Sequence, residues 1–203
     1  MRTVTLVWYV RSKIAMKNLS DIEIIDSVNR GNHQDYSLLI DRYKDKAFSL
    51  LKRMLKNEMD AEEVLQDSFL KAFSSLKDFR GDAKFSTWFY KIVFNSALTT
   101  IASKKRKIEQ EMSSYDETFE LGYNDNKIYA TTENAQGYVL KLVDKLPLRN
   151  ALVTILFYVD GLSLNEISQV MGTSLVNTKV LLHRSRNALR DLLLKHNYQE
   201  ELL

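Results

Sequence analysis

The chain predicts an all-α fold: two small helical domains joined by a flexible linker, the C-terminal one a helix-turn-helix. Three observations carry that expectation. One proline and six glycines in 203 residues leave few breaks for helices. Apolar residues recur at three- and four-residue spacing through most of the chain, the period of an amphipathic helix. Between residues 109 and 135 that periodicity stops, in a stretch rich in Glu, Asp, Ser, Thr and Asn. A hydrophobic fraction of 45% is enough to build packed cores on both sides of it.

In chain order, residues 1–15 read as an upstream extension from a misassigned start codon, because Met16-Lys-Asn-Leu-Ser-Asp looks like a natural beginning. Ser20 and Glu23 have capping-box spacing and predict a first helix over 21–30, ending near Gly31. A second helix is expected over 33–56, with Tyr36, Leu39, Ile40, Tyr43, Ala47, Leu50, Leu51 and Met54 inward. Asp60 is a candidate cap for a third, which carries Val64, Leu65, Ser68, Phe69, Ala72 and Phe73 inward. Phe79 to Phe85 reads as a loop around Gly81 and Asp82, and a fourth helix follows over 87–107.

After the linker, a helix is expected over 136–145, and Pro147 marks the start of an apolar one from Arg149 to Tyr158. Ser163 and Glu166 repeat the capping-box spacing, and Leu164, Ile167, Val170 and Met171 share one face. Gly172 stops that helix and Ser174 caps the next. In this last helix Val176, Val180 and either Leu182 or Leu189 are expected to face the core. Lys179, Arg184 and Arg186 are then left to meet phosphates or base edges, the arrangement of a DNA-reading helix.

Charge is divided along the chain. Residues 1–108 hold 20 Lys and Arg against 13 Asp and Glu, residues 109–135 hold one against seven, and residues 136–203 hold eight against six. Two basic modules around an acidic segment point to two nucleic-acid-facing domains. There is no cysteine, so disulfides and thiolate metal sites are excluded and a reducing cytoplasm fits. His33, His183 and His196 lack ligand spacing, so neither metal nor cofactor is expected. No apolar run approaches the roughly 20 residues that span a bilayer, so no membrane insertion is expected. The acid pairs Glu62/Glu63 and Asp116/Glu117 have no accompanying nucleophile and base, so an enzyme is not expected.

Four segments resemble the extracytoplasmic-function group of bacterial RNA polymerase sigma factors. Asp60-Ala-Glu-Glu-Val-Leu-Gln66-Asp-Ser-Phe69 is similar to the family's D-A-E-D-x-x-Q-x-x-F. Phe79-Arg-Gly-Asp-Ala-Lys-Phe-Ser-Thr-Trp88-Phe-Tyr-Lys-Ile-Val-Phe-Asn95 is similar to F-R-G-x-x-x-F-x-T-W-L-x-x-I-A-x-N. Leu146-Pro147 stands where the family has L-P-x-x-x-R-x-V. Gly161-Leu-Ser and His183-Arg-Ser-Arg186 fall within its G-L-S-x-x-E-I-A-x-x-x-G and L-H-R-A-R pattern. The resemblance covers nearly all of residues 20–197 and keeps the family's order.

The resemblance implies roles. Residues 16–108 would be sigma region 2 and residues 136–203 sigma region 4, with 109–135 between them. Asp60, Glu62, Glu63, Gln66, Asp67 and Phe69 would bind the clamp helices of the core polymerase's largest subunit. Arg80, Lys84, Phe85, Ser86, Thr87, Trp88, Lys91, Asn95, Lys104 and Lys105 would bind the minus-ten promoter element, with Trp88 more a core anchor than a stacking surface. Ser174, Asn177, Thr178, Lys179, His183, Arg184 and Arg186 would bind the minus-thirty-five element, and the flap of the second-largest subunit would be a further contact with core polymerase. An anti-sigma factor is a further implied partner, and the location is cytoplasmic. Three positions depart from the family: Thr99 replaces an acid, Phe94 an Arg, and Thr178-Lys179-Val180-Leu181 stands for V-K-S-R, which removes a hydroxyl and a guanidinium from the recognition helix. The rival reading is a stand-alone helix-turn-helix regulator, which would bind duplex DNA without the polymerase, often as a dimer.

Overall fold

The computed structural model describes residues 19–112 and 135–195. The described residues form eight α-helices: α1 (Asp21–Asn29), α2 (Tyr36–Leu55), α3 (Glu58–Ser74), α4 (Phe85–Met112), α5 (Ala135–Val143), α6 (Leu148–Tyr158), α7 (Leu164–Met171) and α8 (Leu175–Lys195). The architecture is all-α, as expected. The proposed 1–15 extension and most of the acidic 109–135 segment lie outside the described residues, although α4 continues through the first four residues of that segment.

Local chemistry sets most helix ends. Glu23 accepts from Ser20 N–H at 2.7 Å while Ser20 Oγ accepts from Glu23 N–H at 3.3 Å, closing the box that starts α1. Ser163 and Glu166 repeat this at α7, at 2.7 and 3.3 Å. Gly172 ends α7 with φ +60°, where a side chain would be strained. Two expectations shift. The helix expected from residue 33 opens with a 3-10 turn, His33–Asp35, before α2. The cap of α3 is Asn57, whose side chain accepts from Asp60 N–H at 3.0 Å, so Asp60 stands inside the first turn.

Aromatic rings organise the first helical set. Phe69 of α3 stacks on Phe89 of α4 at 4.5 Å between centroids, and Phe85 lies nearly parallel to Phe89 at 5.9 Å. Tyr36 donates its hydroxyl to the Phe69 carbonyl at 2.8 Å, pinning α2 to α3. Asp21 takes both the Arg42 guanidinium and the Tyr43 hydroxyl, tying α1 to α2. Ala47, Leu50 and Leu51 of α2 are fully buried. The same apolar core continues into the second set through Leu152, Leu156, Leu162, Ile167 and Val170. A smaller cluster of Val143, Leu146, Ala151 and Ile155 packs on Ala188, Leu189 and Leu192.

Leu51, with no exposed surface, is the test of that core. Leu51→Ala should cost about 2–5 kcal/mol, the usual range for a buried leucine that leaves a partly collapsed cavity. Urea unfolding followed by circular dichroism measures it.

Candidate nucleic-acid interface

The outward face of α3 carries a mixed stripe. Glu62, Glu63, Gln66 and Asp67 are exposed, and at helical spacing Met59 and Leu70 join Glu63 and Gln66 on one line. Met59 is 80% and Leu70 65% exposed, which makes this surface partly apolar. Sequence reading passed over both residues; their eleven-residue separation, three helical turns, was the available signal. Phe73, expected inward, sits at the edge, its ring against Tyr36 at 5.0 Å and His33 at 5.7 Å. Phe69 is buried, so it supports this face from beneath.

The segment from Arg80 into α4 divides in the same way. Arg80, Lys84, Lys91, Asn95, Lys104 and Lys105 are exposed, Ser86 is half-buried, and Phe85 and Thr87 are buried. Lys91 and Asn95 stand one turn apart, with exposed Leu98 on the same side of α4. Trp88 packs on Phe79 at 5.4 Å and Phe85 at 5.6 Å, the anchoring position expected for it. Lys104 is paired with Asp60, which joins the start of α3 to the basic stretch of α4.

In the helix-turn-helix, Ser174 caps α8 by accepting from Asn177 N–H at 3.1 Å. The rotation of α8 differs from the expected one. Val176 is 71% and Val180 38% exposed, while Thr178, Leu182 and Ser185 are buried. Both buried hydroxyls find carbonyls one turn back: Thr178 to Ser174 at 3.0 Å and Ser185 to Leu181 at 2.8 Å. Asn150 of α6 also donates to Ser185 Oγ at 3.1 Å and to the Leu181 carbonyl at 3.3 Å. Thr178 is thus a packing residue, whereas Ser174, Asn177, Lys179, His183, Arg184 and Arg186 are exposed. Arg186 lies over the Phe157 and Tyr158 rings at 5.8 and 5.7 Å, and its Nε donates to the Tyr158 hydroxyl at 2.7 Å.

The two helical sets meet along α4 and α7, and α2 and α6. Lys84 pairs with Glu166 at 3.1 Å, Arg53 with Asp144 at 2.9 Å and Lys46 with Asp160 at 3.6 Å. The Asp160 side chain is only 2% exposed. Its Oδ2, the Tyr90 hydroxyl and Thr87 Oγ1 are the buried side-chain polar atoms without a hydrogen-bond partner among the described residues. Burial pushes the Asp160 carboxyl above its ordinary value, against the pull of Lys46, Tyr90 and Arg53. Burial, then Asp160 itself, pushes the Tyr90 phenol up. At Glu166 burial works upward too, but hydrogen bonds from Ser163 and the Lys84 charge outweigh it, and the net shift is downward.

Among the described residues no helix is long and apolar enough to cross a membrane, and no group of three or more His, Asp or Glu could hold a metal ion. What the geometry offers is binding: two basic surfaces, one of them a capped recognition helix, and an acidic-apolar helix face. These features define a two-part helical protein of the helix-turn-helix class, with surfaces suited to nucleic acid and to a protein partner. Comparison with known proteins specifies it further. The family description Sigma-70 region 2 matches residues 39–107, and Sigma-70, region 4 matches residues 136–189. The ECF RNA polymerase sigma factor SigW of Bacillus subtilis (strain 168) is 30% identical over 174 residues, which are 82% of this chain and 92% of SigW. The ECF RNA polymerase sigma-E factor of Escherichia coli (strain K12) is 28% identical over 180 residues, 85% of this chain and 94% of its own.

The fold is shared with the sigma factor RpoE of Bartonella quintana, solved in complex with the anti-sigma factor NepR. The TM-score is 0.62 at 17% identity, covering 79% of this chain and 97% of that one. It is shared also with CnrH in complex with the cytosolic domain of CnrY, at TM-score 0.58 and 20% identity, covering 85% and 96%. The chain belongs to the extracytoplasmic-function group of the sigma-70 family. It is a sigma factor of RNA polymerase and not an enzyme.

Asp160 gives the packing of the two sets a pH dependence. A carboxyl whose pKa is raised by burial binds its proton more tightly in the packed state, so packing strengthens as pH falls through that raised value towards the ordinary 3.8. Glu166, shifted downward from 4.5, stays ionised above that range. Resonance energy transfer between labels on α3 and α8, followed as pH is lowered from neutrality towards 3.8, should report the regions drawing closer. Asp160→Asn should hold them close throughout.

Proposed function

We propose that this sigma factor joins core RNA polymerase through the outward face of α3, and reads promoters through α4 and α8. The observation that carries the reading is the pair of matched regions, in order, in a chain whose alignment spans 92% of SigW. Residues 16–108 act as region 2 and residues 136–203 as region 4. Met59 and Leu70 supply the apolar ends of a docking patch whose middle is Glu62, Glu63, Gln66 and Asp67, suited to the clamp helices of the largest subunit. Asp60, bridged to Lys104, holds that patch in register with the basic stretch of α4. The helix-turn-helix domain meets the flap of the second-largest subunit.

Arg80, Lys84, Ser86, Lys91 and Asn95 bind the unpaired minus-ten strand, with Lys104 and Lys105 following the backbone as salt-dependent contacts. Phe85, Thr87 and Trp88 shape that surface from within. Preference for the opened strand over the duplex shifts the promoter towards the melted state without any covalent step. Ser174, Asn177, Lys179, His183, Arg184 and Arg186 serve the minus-thirty-five element from the capped start and sides of α8. In the packed arrangement Lys84 is paired with Glu166, so separation of the two regions frees that lysine for the minus-ten strand. RpoE of Bartonella quintana is solved with an anti-sigma factor, and a partner of that kind is proposed here, acting in the cytoplasm.

In vitro transcription with purified core enzyme on genomic DNA tests the reading: discrete transcripts should appear only when the protein is added. Binding to paired duplex half-sites with no affinity for core enzyme would favour a stand-alone regulator. Leu70→Asp, at a position 65% exposed and so compatible with folding, should weaken core binding by roughly tenfold or more, the scale of an interface hot spot. Fluorescence anisotropy of the labelled protein against core enzyme reads that loss. Lys91→Ala with Asn95→Ala should leave core binding intact and lower open-complex formation on promoter DNA.

A further inference from the structure

The ridge of α8 that stands farthest from the core opens with two apolar side chains, Val176 and Val180, before His183 and Asn187. Thr178, Leu182 and Ser185 are 0%, 3% and 0% exposed and define the inward side. At about 100° per residue, Val176 and Val180 fall opposite them, with His183 next along the helix. Val176 is 71% exposed, more than any other large apolar side chain of the described helix-turn-helix. A valine has nothing to donate or accept. A helix lying in the major groove brings its outermost ridge nearest the base edges, and the apolar feature on those edges is the thymine methyl group.

We propose that Val176 and Val180 are specificity-determining residues that select thymine in the minus-thirty-five element by packing on its C5 methyl group. The inference rests on the reading of α8 as the minus-thirty-five helix. Charge complementarity commits the ridge to DNA: Lys179 and Arg184 flank it, and Asp191 is the only acid in α8. The capped start of α8 adds the positive end of the helix dipole on the side where phosphates approach. The two valines are four residues apart, about 6 Å along the helix, close to two base-pair steps. The chain therefore reads one or two thymines, spaced about two steps apart, where hydrogen-bonding side chains would read other bases.

Deoxyuridine tests this directly, because it keeps every hydrogen-bonding group of thymidine and lacks only the methyl. Promoters recovered from in vitro transcription are rebuilt with single deoxyuridine substitutions on each strand of the minus-thirty-five element. Their affinity for the reconstituted holoenzyme is then measured. One or two positions should lose about fourfold each, the effect of one buried methyl at about 0.8 kcal/mol. V176A and V180A should abolish that difference, position by position, with core binding and melting temperature unchanged. If uracil serves as well as thymine everywhere while promoter-specific initiation persists, the inference is overturned and the sigma reading stands. If the variants weaken thymine and uracil promoters equally, the valines cover protein, whether an anti-sigma factor or a second copy, and the inference is again overturned. If the holoenzyme selects no promoter at all, the reading beneath it falls as well.

Discussion

Two hydroxyls decide what the recognition helix shows to its surroundings. Thr178 and Ser185 are buried without loss because each donates to a carbonyl one turn back in α8. Asn150 of α6 then reaches across to Ser185 and to the Leu181 carbonyl, so that α6 grips α8 through polar atoms in an otherwise apolar core. The grip fixes the rotation of α8. Everything on its outer side follows from that rotation, including the exposure of Lys179, His183 and Arg184 and the placement of the two valines. Arg186, at the side of the helix, is steadied instead by the Phe157 and Tyr158 rings.

The boundary between the two helical sets has a different character from either core. Its apolar part is continuous with the aromatic cluster of the first set. Its polar part combines exposed lysines with a buried carboxylate, and it contains the unsatisfied atoms Asp160 Oδ2 and Tyr90 OH. Unsatisfied buried polar atoms make an interface weaker than its area suggests. That suits two modules which, in the proposed mechanism, hold together in one state and part in another. At this boundary Lys84, its side chain still 73% exposed, pairs with the half-buried Glu166, an ion pair of the exchangeable surface kind.

Much of this architecture was legible from short-range patterns. Both capping boxes, the turn at Gly172 and the cap at Ser174 appear where residue spacing places them, because each depends on neighbours within a turn. The rotation of α8 was not legible. Moving a helical face by one or two residues exchanges Val176 and Val180 for Thr178 and Ser185, and polarity alone favours burying the valines. Only the return of each hydroxyl to its own backbone, and the reach of Asn150, reverse that preference. Contacts between distant segments were equally hidden. Asp160 faces Lys46 and Tyr90 across the boundary of the two sets, and nothing in the spacing of those residues announces it. The apolar members of the α3 stripe, Met59 and Leu70, were passed over because an exposed hydrophobic residue looks like any other until its surroundings are known.

Glu166 has two occupations at once: it accepts from Ser163 N–H to start α7, and it holds Lys84 from across the boundary. When Lys84 departs, the first bond remains, and the carboxylate is neither stranded nor forced to find a new donor. The start of α7 therefore needs no rearrangement as the regions move apart. In the proposed mechanism parting is, for α7, a rigid-body displacement and not a local unfolding.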